Sequence, residues 1–431
     1  MRKHWRWIAA GAAVLVLLVC GAGLGYYLWI QGKSADVHGS STVEFVPTEA
    51  PPTTAPKPPP PKPGKPAALT RVDWPTYGYD QERVRYLPSP LAPPFKVEWV
   101  FHGHHLLEFP PAVAYGRAYI ASNPGTLYAV QAATGRTSWK YASGRCTAAS
   151  PAVADGIVYM AFLNLRSIGC NAQPGTTGLD GLVVALDART GSLVWKHTIG
   201  PSETSPLVAH GRVYVGDWTG RVYALSAKTG KEVWDYATGG QVKGAVALTG
   251  NRLFVGSYDH HLYALDARTG TLIWRSASQD RLGGRGTFYS TPATAYGRVY
   301  IGSTDGKVYS YGAASGDIRW SQSTGGYVYG SPALFDEKVY IGSYSGRFYA
   351  LDAATGDVKW QFDAGGPISG SASVLGSVVY FSTLKGRTFG LDAATGKQVW
   401  SFPDGKYSPV VAGPERMYLT GYTRLYGMIP R

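Results

Sequence analysis

Apolar and polar residues alternate with a period of two along short segments from about residue 95 to the end of the chain. Residues 331–362, SPALFDEKVYIGSYSGRFYALDAATGDVKWQF, contain four such segments: PALF, KVYIGS, RFYALD and DVKWQF. The breaks between them are rich in Gly, Asp and Ser, which favour turns. A period of two is typical of half-buried strands, and no sustained helical period interrupts it. The pattern predicts an all-β domain of short antiparallel strands.

This four-strand unit repeats along the chain. Seven copies end in a segment close to A-x-D-x-x-T-G-x-x-x-W, as in ALDARTGSLVW (185–195) and ALDAATGDVKW (350–360). Successive copies lie about 40 residues apart, with insertions in two of them. Four short antiparallel strands in each unit of this length are typical of a propeller blade.

The two ends of the repeat region complement each other. Residues 407–431 supply three strands of an eighth unit and lack its last strand, whereas FKVEWVFH (95–102) is a lone strand carrying Trp99. Pairing these ends closes a ring and removes exposed sheet edges. We therefore predict an eight-bladed β-propeller of four-stranded blades over residues 72–431, with the last blade closed by an N-terminal strand.

One tryptophan occurs in every predicted blade, which favours an architectural role between neighbouring blades over ligand binding. The aspartates of the repeat, Asp187, Asp266, Asp352 and Asp392, are expected to be turn residues. The predicted structural tryptophans are Trp99, Trp139, Trp195, Trp234, Trp274, Trp320, Trp360 and Trp400.

The N-terminus predicts a membrane anchor. Residues 8–30 are 23 uncharged residues, enough for one transmembrane helix, and basic residues precede them. A cleaved signal peptide or a lipidated Cys20 fits less well, because the apolar run is long and continues past Cys20. We predict a cytoplasmic stub (1–7) and an uncleaved signal anchor (8–30) that crosses the cell membrane once. The propeller then lies outside the cytoplasm.

Residues 31–71 are low in apolar content and include PTEAPPTTAPKPPPPKPGKP (47–66). A segment of this composition cannot bury a core and favours an extended polyproline conformation. We predict a disordered Pro-rich stalk between membrane and propeller.

Charge and cysteine content bear on the possible partners of the domain and on its redox environment. The net charge is +13, but the basic residues are scattered, which argues against nucleic acid and favours a solvated basic face; acidic partners such as anionic lipids or wall polymers are the alternative. Two of the three cysteines, Cys146 and Cys170, lie in the predicted propeller. Outside a membrane they predict one disulfide, which would pin the long loop 164–180.

The A-x-D-x-x-T-G-x-x-x-W units resemble the tryptophan-docking motif of PQQ-binding-like propellers. This family includes the quinoprotein alcohol dehydrogenases and the BamB-like envelope proteins. The lead-in DWPTYGYDQERVRYLPSP (73–90) also resembles the segment that often precedes the first strand in the family. The resemblance covers about residues 72–431; it implies the fold and leaves a quinone enzyme and a binding protein as alternative functions.

Catalytic members of that family use PQQ with Ca²⁺, a base aspartate and often a disulfide between adjacent cysteines. This chain has no adjacent cysteine pair and no C-x-x-C-H haem site. A local metal site from His102, His104, His105 and Glu108 is a weaker alternative. We predict no catalytic residue, metal or cofactor, and a non-catalytic binding or scaffold protein of the cell envelope. The alternative is a quinoprotein-type or other enzyme acting on extracellular or wall substrates.

A candidate binding face follows from propeller topology. The connections between blades and the loops between second and third strands emerge on one face, around the central channel. We predict that residues of the connections form a basic, aromatic funnel mouth for an envelope protein, acidic peptide or wall polymer. These residues are Arg145, Glu203, Lys243, Arg285, Tyr289, Tyr327, Tyr329, Lys406 and Tyr407.

Overall fold

A computed structural model describes residues 19–47, 71–170, 181–408 and 410–431. The predicted stub 1–7, residues 8–18 of the predicted anchor, the Pro-rich run 48–70 and residues 171–180 of the long loop lie outside this description.

The described strands, in chain order, are β1 (Val72–Trp74), β2 (Tyr86–Leu87), β3 (Phe95–His102), β4 (Ala112–Ala114), β5 (Arg117–Ser122), β6 (Thr126–Gln131), β7 (Thr137–Ala142), β8 (Ala152–Ala154), β9 (Ile157–Phe162), β10 (Gly181–Asp187), β11 (Leu193–Ile199), β12 (Leu207–Ala209), β13 (Arg212–Gly216), β14 (Arg221–Ser226), β15 (Glu232–Ala237), β16 (Ala247–Thr249), β17 (Arg252–Gly256), β18 (His261–Asp266), β19 (Leu272–Ala277), β20 (Ala293–Ala295), β21 (Arg298–Gly302), β22 (Lys307–Gly312), β23 (Ile318–Ser323), β24 (Ala333–Phe335), β25 (Lys338–Gly342), β26 (Arg347–Asp352), β27 (Val358–Asp363), β28 (Ser373–Leu375), β29 (Val378–Thr383), β30 (Arg387–Asp392), β31 (Gln398–Phe402), β32 (Val411–Ala412), β33 (Met417–Thr420) and β34 (Arg424–Pro430).

Within these ranges the strands form eight sheets, which confirms the predicted eight blades. Blade 1 contains β4–β7, blade 2 β8–β11, blade 3 β12–β15, blade 4 β16–β19, blade 5 β20–β23, blade 6 β24–β27, blade 7 β28–β31, and blade 8 β32–β34 with β3. The early strand β3 pairs antiparallel with β34 from Phe95↔Pro430 to His102↔Arg424. The predicted closure of the last blade by an N-terminal strand is therefore confirmed.

A tryptophan on the outer strand of one blade docks on the Thr-Gly turn of the next. The indole Nε1–H of Trp234 donates to the carbonyl of Ala267 at 3.1 Å, and its ring covers Gly270. Gly270 has a φ of +77°, and a Cβ added there would lie 2.7 Å from the indole ring. Glycine is therefore required both by the backbone conformation and by the close approach of the ring. The donor–acceptor pairs that repeat this bond are Trp99–Ala132, Trp139–Ala188, Trp195–Ala227, Trp274–Ala313, Trp320–Ala353 and Trp360–Ala393.

Trp400 is the exception. Its neighbour, blade 8, has no Thr-Gly turn because β3 supplies its outer strand from elsewhere in the chain. Trp400 instead packs edge-on against Phe95, with ring centroids 5.7 Å apart, and stacks on Phe402. Aromatic packing thus replaces the turn at the point where the ring closes.

Residues 71–89, named here the channel segment, run along the inner strands of the ring. Three blades donate hydrogen bonds to the backbone of this segment. The N–H groups of Leu248 (blade 4), Thr294 (blade 5) and Leu334 (blade 6) donate to its carbonyls at positions 81, 82 and 84. Its short strands β1 and β2 extend the sheets of blades 1 and 7. The lead-in segment of the sequence therefore fills the centre of the propeller.

Arg83 ties the channel segment to the ring from a fully buried position. Its Nε donates to the carbonyl of Val246 at 2.8 Å, and its Nη2 donates to the carbonyls of Ser205 and Pro206 at 3.3 Å. Burial, together with the neighbouring charge of Arg85, lowers the pKa of Arg83 to about 9. The guanidinium therefore joins blades 3 and 4 through the centre of the molecule.

Residues 33–46, named here the strap, lie along the outside of blade 5. The backbone N–H of Ser321 donates to the carbonyl of Val37 at 2.9 Å, and Asp36 accepts from Ser323. At the other end, Glu44 accepts from Ser315 at 2.8 Å. Within the predicted stalk 31–71, this part of the chain thus contacts the propeller.

A helix occupies residues 19–34. Within the described ranges, no helix reaches the length and apolar character needed to cross a bilayer.

Replacing Gly270 with Ala is expected to destabilise the propeller more than replacing Gly250 with Ala in the same blade. Both glycines have positive φ, but a Cβ on Gly250 meets nothing within 4 Å, whereas one on Gly270 meets the Trp234 ring. We expect an additional loss of about 1–3 kcal/mol for Gly270→Ala, measured by equilibrium denaturation. Equal losses for the two variants would contradict tight docking of the indole.

Arg83→Met is expected to lower the free energy of unfolding by roughly 3 kcal/mol, because it leaves several buried carbonyls without donors. Arg71→Met is the matched control, since Arg71 belongs to the same segment but is exposed and pairs with Asp73. Urea denaturation followed by tryptophan fluorescence measures both. A small effect at both positions would show that the channel segment does not support the ring.

Candidate functional site: the central funnel

One side chain from each blade occupies the same position around the central axis, four residues before the inner strand begins. These eight residues, named here the funnel ring, are Glu108, Ala148, Glu203, Lys243, Tyr289, Tyr329, Ser369 and Tyr407. All except Ala148 line one cavity. The repeat geometry therefore places one residue from each blade at a shared position, where the blade core does not dictate its type.

A belt of hydroxyl groups lies two residues further along and holds the ring together. The Oγ of Ser331 accepts from the N–H of Thr291 at 3.0 Å, and the Oγ of Ser371 accepts from the N–H of Ser331 at 2.8 Å. Ser150 and Ser205 are joined in the same way in blades 2 and 3. Each of these bonds therefore links two adjacent blades at the base of the funnel.

The channel segment supplies the floor. The hydroxyl of Tyr77 lies 2.6 Å from the Oγ of Ser371, and the Tyr77 ring packs edge-on against Phe109. Arg85 lies over the other side of the Tyr77 ring, 4.7 Å from its centroid. The channel segment therefore closes the cavity below, and the space within it is ≈ 60 Å³, well under that of a typical small-molecule pocket.

Glu203 and Lys243 form the main charged contact of the funnel. Their charged atoms lie 3.3 Å apart, and Glu203 also accepts from the indole Nε1–H of Trp218 at 3.0 Å. Burial raises the pKa of the Glu203 carboxyl, and these partners offset only part of that increase. The ammonium of Lys243 lies over the Trp218 ring at 4.3 Å and near the ring of Tyr258.

Glu108 is the second carboxyl group of the cavity. Burial, reinforced by the charge of Glu203, raises its pKa to about 7. The charge of Glu203, together with burial and Glu108, also raises the pKa of the Tyr289 hydroxyl well above its usual value. The two carboxyls and Tyr289 line one cavity, and the burial that raises their pKa values is that of a poorly solvated space.

Tyrosines form the wall on the side of blades 5 and 6. Tyr329 packs against Tyr289 with ring centroids 5.3 Å apart and against Tyr344 at 5.0 Å. Tyr327 lies above them, half exposed and 5.8 Å from Tyr329. The funnel therefore presents a contiguous aromatic surface with polar hydroxyl tips.

The structure brings five of the nine predicted funnel residues together in the cavity: Glu203, Lys243, Tyr289, Tyr329 and Tyr407. Two others lie at the rim, Tyr327 above the tyrosine wall and Lys406 over the rings of Tyr407 and Tyr422.

Two predicted residues lie elsewhere. Arg285 is exposed and donates to Asp280 at 2.7 Å in the connection between blades 4 and 5, and Arg145 makes a backbone bridge to Leu165 beside the disulfide. Lys243 is the one Lys or Arg in the described lining, and it is paired with Glu203. The described lining is therefore aromatic and weakly acidic rather than basic, because Arg285 pairs with Asp280 outside it and Lys406 lies at the rim.

Sequence reasoning missed the floor residue Tyr77 and the wall residues Trp218, Tyr258 and Tyr344. It also placed Glu108 only in a histidine cluster. Counting back four residues from each inner strand identifies Glu108, but the contribution of Tyr77 depends on where the channel segment folds, which the repeat pattern does not encode.

The predicted disulfide is confirmed. Cys146 and Cys170, 24 residues apart in sequence, are bonded, with a Cα–Cα distance of 5.3 Å. Both pack with Trp218 in a small apolar cluster behind the funnel wall. The bond therefore supports the wall from the side of blade 2.

The carboxyl groups of the funnel fit a calcium–quinone site poorly. Ca²⁺ requires six to eight converging oxygen ligands, whereas Glu203 is already engaged by an indole donor and an ammonium group. Across the described ranges, His, Cys, Asp and Glu side chains do not gather in threes around a possible metal position. His104 and His105 are exposed, whereas Glu108 faces the cavity.

Comparison with known proteins identifies a family and relatives that match parts of the propeller. The PQQ_2 family model, described as outer membrane protein assembly factor BamB, matches residues 83–177, 179–324 and 262–406. Outer membrane protein assembly factor BamB of Yersinia pestis is 30% identical over 126 residues, which cover 27% of this chain and 28% of that protein. The dehydrogenase subunit of alcohol dehydrogenase (quinone) of Gluconobacter oxydans is 27% identical over 167 residues, 34% of this chain and 21% of that protein. The matches thus span less than a third of these relatives.

Solved structures show the same architecture. BamB from Moraxella catarrhalis has a TM-score of 0.63 at 18% identity, covering 78% of this chain and 98% of that one. Quinohemoprotein alcohol dehydrogenase ADHIIG from Pseudomonas putida has a TM-score of 0.69 at 16% identity, covering 83% and 80%. At these identities the likeness concerns the fold alone, which an assembly factor and dehydrogenases share.

Glu108→Gln is expected to change how stability depends on pH. The pKa of Glu108 is about 7 in the folded protein against a reference of 4.5, so the folded state keeps a proton that the unfolded state loses. Stability from this group therefore falls as pH rises from 4.5 to about 7, by about 1–3 kcal/mol. The Gln variant should lack that fall.

Denaturation at several pH values measures the effect, with Glu337→Gln as the control because Glu337 is exposed on the opposite face. A pH profile unchanged by Glu108→Gln would show that the carboxyl is well solvated.

Proposed function

This chain belongs to the PQQ-repeat propeller family described as outer membrane protein assembly factor BamB, and from that premise we propose that it is a non-catalytic binding or scaffold protein of the cell envelope. The supporting observation is the funnel ring. Its side chains leave the repeat pattern and create an aromatic cavity that opens on one face and is closed below by Tyr77.

A protein partner suits this cavity best. Tyrosine and tryptophan provide large contact areas at low cost in side-chain entropy, and both are enriched at the energetic centres of protein interfaces. The exposed Tyr327 and the half-buried Tyr329 and Tyr344 form such a surface. We propose that a segment of an envelope protein inserts side chains between this tyrosine wall and the Glu203–Lys243 pair.

A binding role also accounts for the charges of the funnel. Glu203, Trp218 and Lys243 neutralise and position one another, which preorganises a surface. A catalytic carboxylate, in contrast, needs free access to substrate. The arrangement thus favours recognition over quinone chemistry or another enzymatic reaction.

We further propose that residues 8–30 anchor the chain in the cell membrane, with residues 1–7 in the cytoplasm and the propeller outside. The supporting observations are the uncharged run and the basic residues before it. The Cys146–Cys170 disulfide adds support, because such bonds persist mainly in oxidising compartments outside the cytoplasm.

Photo-crosslinking from the funnel mouth tests the function. With p-benzoylphenylalanine in place of Tyr327, irradiation of living cells is expected to yield one discrete protein adduct, identified by mass spectrometry. The same substitution of Lys231, an exposed residue on the opposite face, is the matched control and should not yield that adduct.

Glycan adducts, or the same adducts from both positions, would contradict a protein-binding funnel. A saturable rise in melting temperature on adding PQQ with Ca²⁺ would favour the quinoprotein alternative.

A further inference from the structure

We infer that the strap mounts the propeller directly on the membrane, with the mouth of the funnel turned toward the lipid surface. The inference rests on the anchor at residues 8–30 proposed above. It differs from the stalk expected from sequence, which would hold the domain away from the bilayer.

The direction of the strap along blade 5 supports this orientation. Strand β23 runs from the face opposite the funnel toward the funnel face, because it connects the Thr-Gly-type turn of blade 5 to the connection into blade 6. Asp36 bonds Ser323 at the funnel end of β23, and Glu44 bonds Ser315 just before its start. The strap is therefore antiparallel to β23, and its N-terminal end lies at the funnel face.

Residues just before Asp36 continue onto the funnel face. Lys33 lies 3.7 Å from Asp280 in the connection between blades 4 and 5, and the side chain of Gln279 donates to the carbonyls of Lys33 and Ala35. The helix at 19–34 therefore reaches the propeller on the side where the funnel opens.

Buried ionic contacts hold the strap in place. Lys307 is 7% exposed; its ammonium lies 2.8 Å from Asp36 and donates to the carbonyl of Ser34 at 2.6 Å. Burial acts to raise the pKa of the Asp36 carboxyl, but hydrogen bonds from Lys307 and Ser323 outweigh it and lower the pKa. Lys307 is shielded from water and the Asp36 side chain is 26% exposed, so their attraction exceeds that of a fully exposed pair.

The opposite end of the strap is fastened by Arg298, which is 1% exposed. Its guanidinium donates to the strap carbonyls of Ser40, Val43 and Glu44 at 2.6–3.0 Å. The Glu44 carboxylate also lies 2.6 Å from Arg319. Because Arg298 donates to three carbonyls of the strap, it holds the strap against the propeller and also defines the path of its backbone.

The length of chain leaves little room between membrane and propeller. Only two residues separate Ile30, at the end of the predicted span, from Lys33, so the gap is at most about 11 Å in an extended chain. The Pro-rich run 47–66 follows the strap in the sequence. It therefore connects two parts that are both held by the propeller, the strap and the channel segment.

The funnel face also carries the side chains expected at a lipid interface. In the described loops of the propeller, Leu282, Tyr327 and Tyr422 are the large apolar or aromatic residues more than half exposed, at 57%, 52% and 51%. All three lie on the funnel face, in the connections into blades 5 and 6 and in the loop between β33 and β34. Exposed lysines and arginines occur on both faces, and outer-strand residues near the opposite face, such as Val194 at 52%, are also exposed, so the strap decides the orientation. We assign this face to the lipid surface from which the anchor emerges.

Fluorescence quenching in lipid nanodiscs tests the orientation on the full-length chain. With Cys20→Ser removing the free thiol, Leu282→Cys carries an environment-sensitive fluorophore, and the discs contain a lipid with a spin label near its headgroup. We expect the label at position 282 to lose most of its emission. The label at Lys231→Cys, on the opposite face, should lose none.

The strap is tested by Asp36→Lys together with Glu44→Lys, which changes no residue of the propeller. Quenching at position 282 should then be lost while the melting temperature of the propeller is retained. Deleting residues 55–62 should leave quenching unchanged, because that run follows the strap. If the strap variant does not fold, the deletion still distinguishes the two arrangements. Unchanged quenching at position 282 supports a propeller held at the membrane by the strap, and changed quenching supports a propeller on a stalk.

Other results would overturn the inference. No quenching at position 282, equal quenching at 282 and 231, or quenching that survives the strap variant would each do so. Failure of the chain to copurify with the discs would overturn the proposed anchor and the orientation with it. If quenching at position 282 is absent but crosslinking from position 327 still yields the discrete protein adduct, the orientation is wrong and the proposed binding function still holds.

Discussion

The contact on which this propeller depends is the docking of a tryptophan onto a glycine in the next blade. The indole ring lies against a residue that can have neither a side chain nor an ordinary backbone conformation, as at Trp234 and Gly270. Its Nε1–H also satisfies a carbonyl of the same turn. Blades 1 to 7 therefore each carry both the tryptophan and the glycine turn, and the repeat continues until the ring closes.

Closure is where this rule must change. Blade 8 takes its outer strand from the beginning of the domain, so it has no turn to receive Trp400, and Phe95 packs there instead. The same early region supplies the channel segment, whose Arg83 bonds to two further blades. The residues that complete the ring and those that fill its centre are thus neighbours in sequence, which couples closure to the formation of the funnel floor.

The funnel and the strap use charge in different ways. In the funnel, Glu108 and Glu203 share a poorly solvated space with one lysine of the described lining, and the charge of Glu203 adds to burial in raising the pKa of Glu108. On blade 5, Lys307 and Arg298 meet a carboxylate and backbone carbonyls of a segment distant in sequence. The first arrangement gathers ionisable groups around one cavity, whereas the second fastens the chain to itself.

The sequence by itself determined the blade count, the closing strand and the disulfide, because each rests on a local period or on a pair of residues with few alternatives. It also placed five residues that line the cavity, Glu203, Lys243, Tyr289, Tyr329 and Tyr407, in the connections between blades on the funnel face. Only the tertiary structure decided that Arg285 pairs with Asp280 outside the funnel, that Tyr77 forms its floor and that residues 33–46 lie on blade 5. These placements depend on contacts between segments tens to hundreds of residues apart, and no periodic pattern in the chain records which carbonyl or carboxylate a buried arginine or lysine will meet.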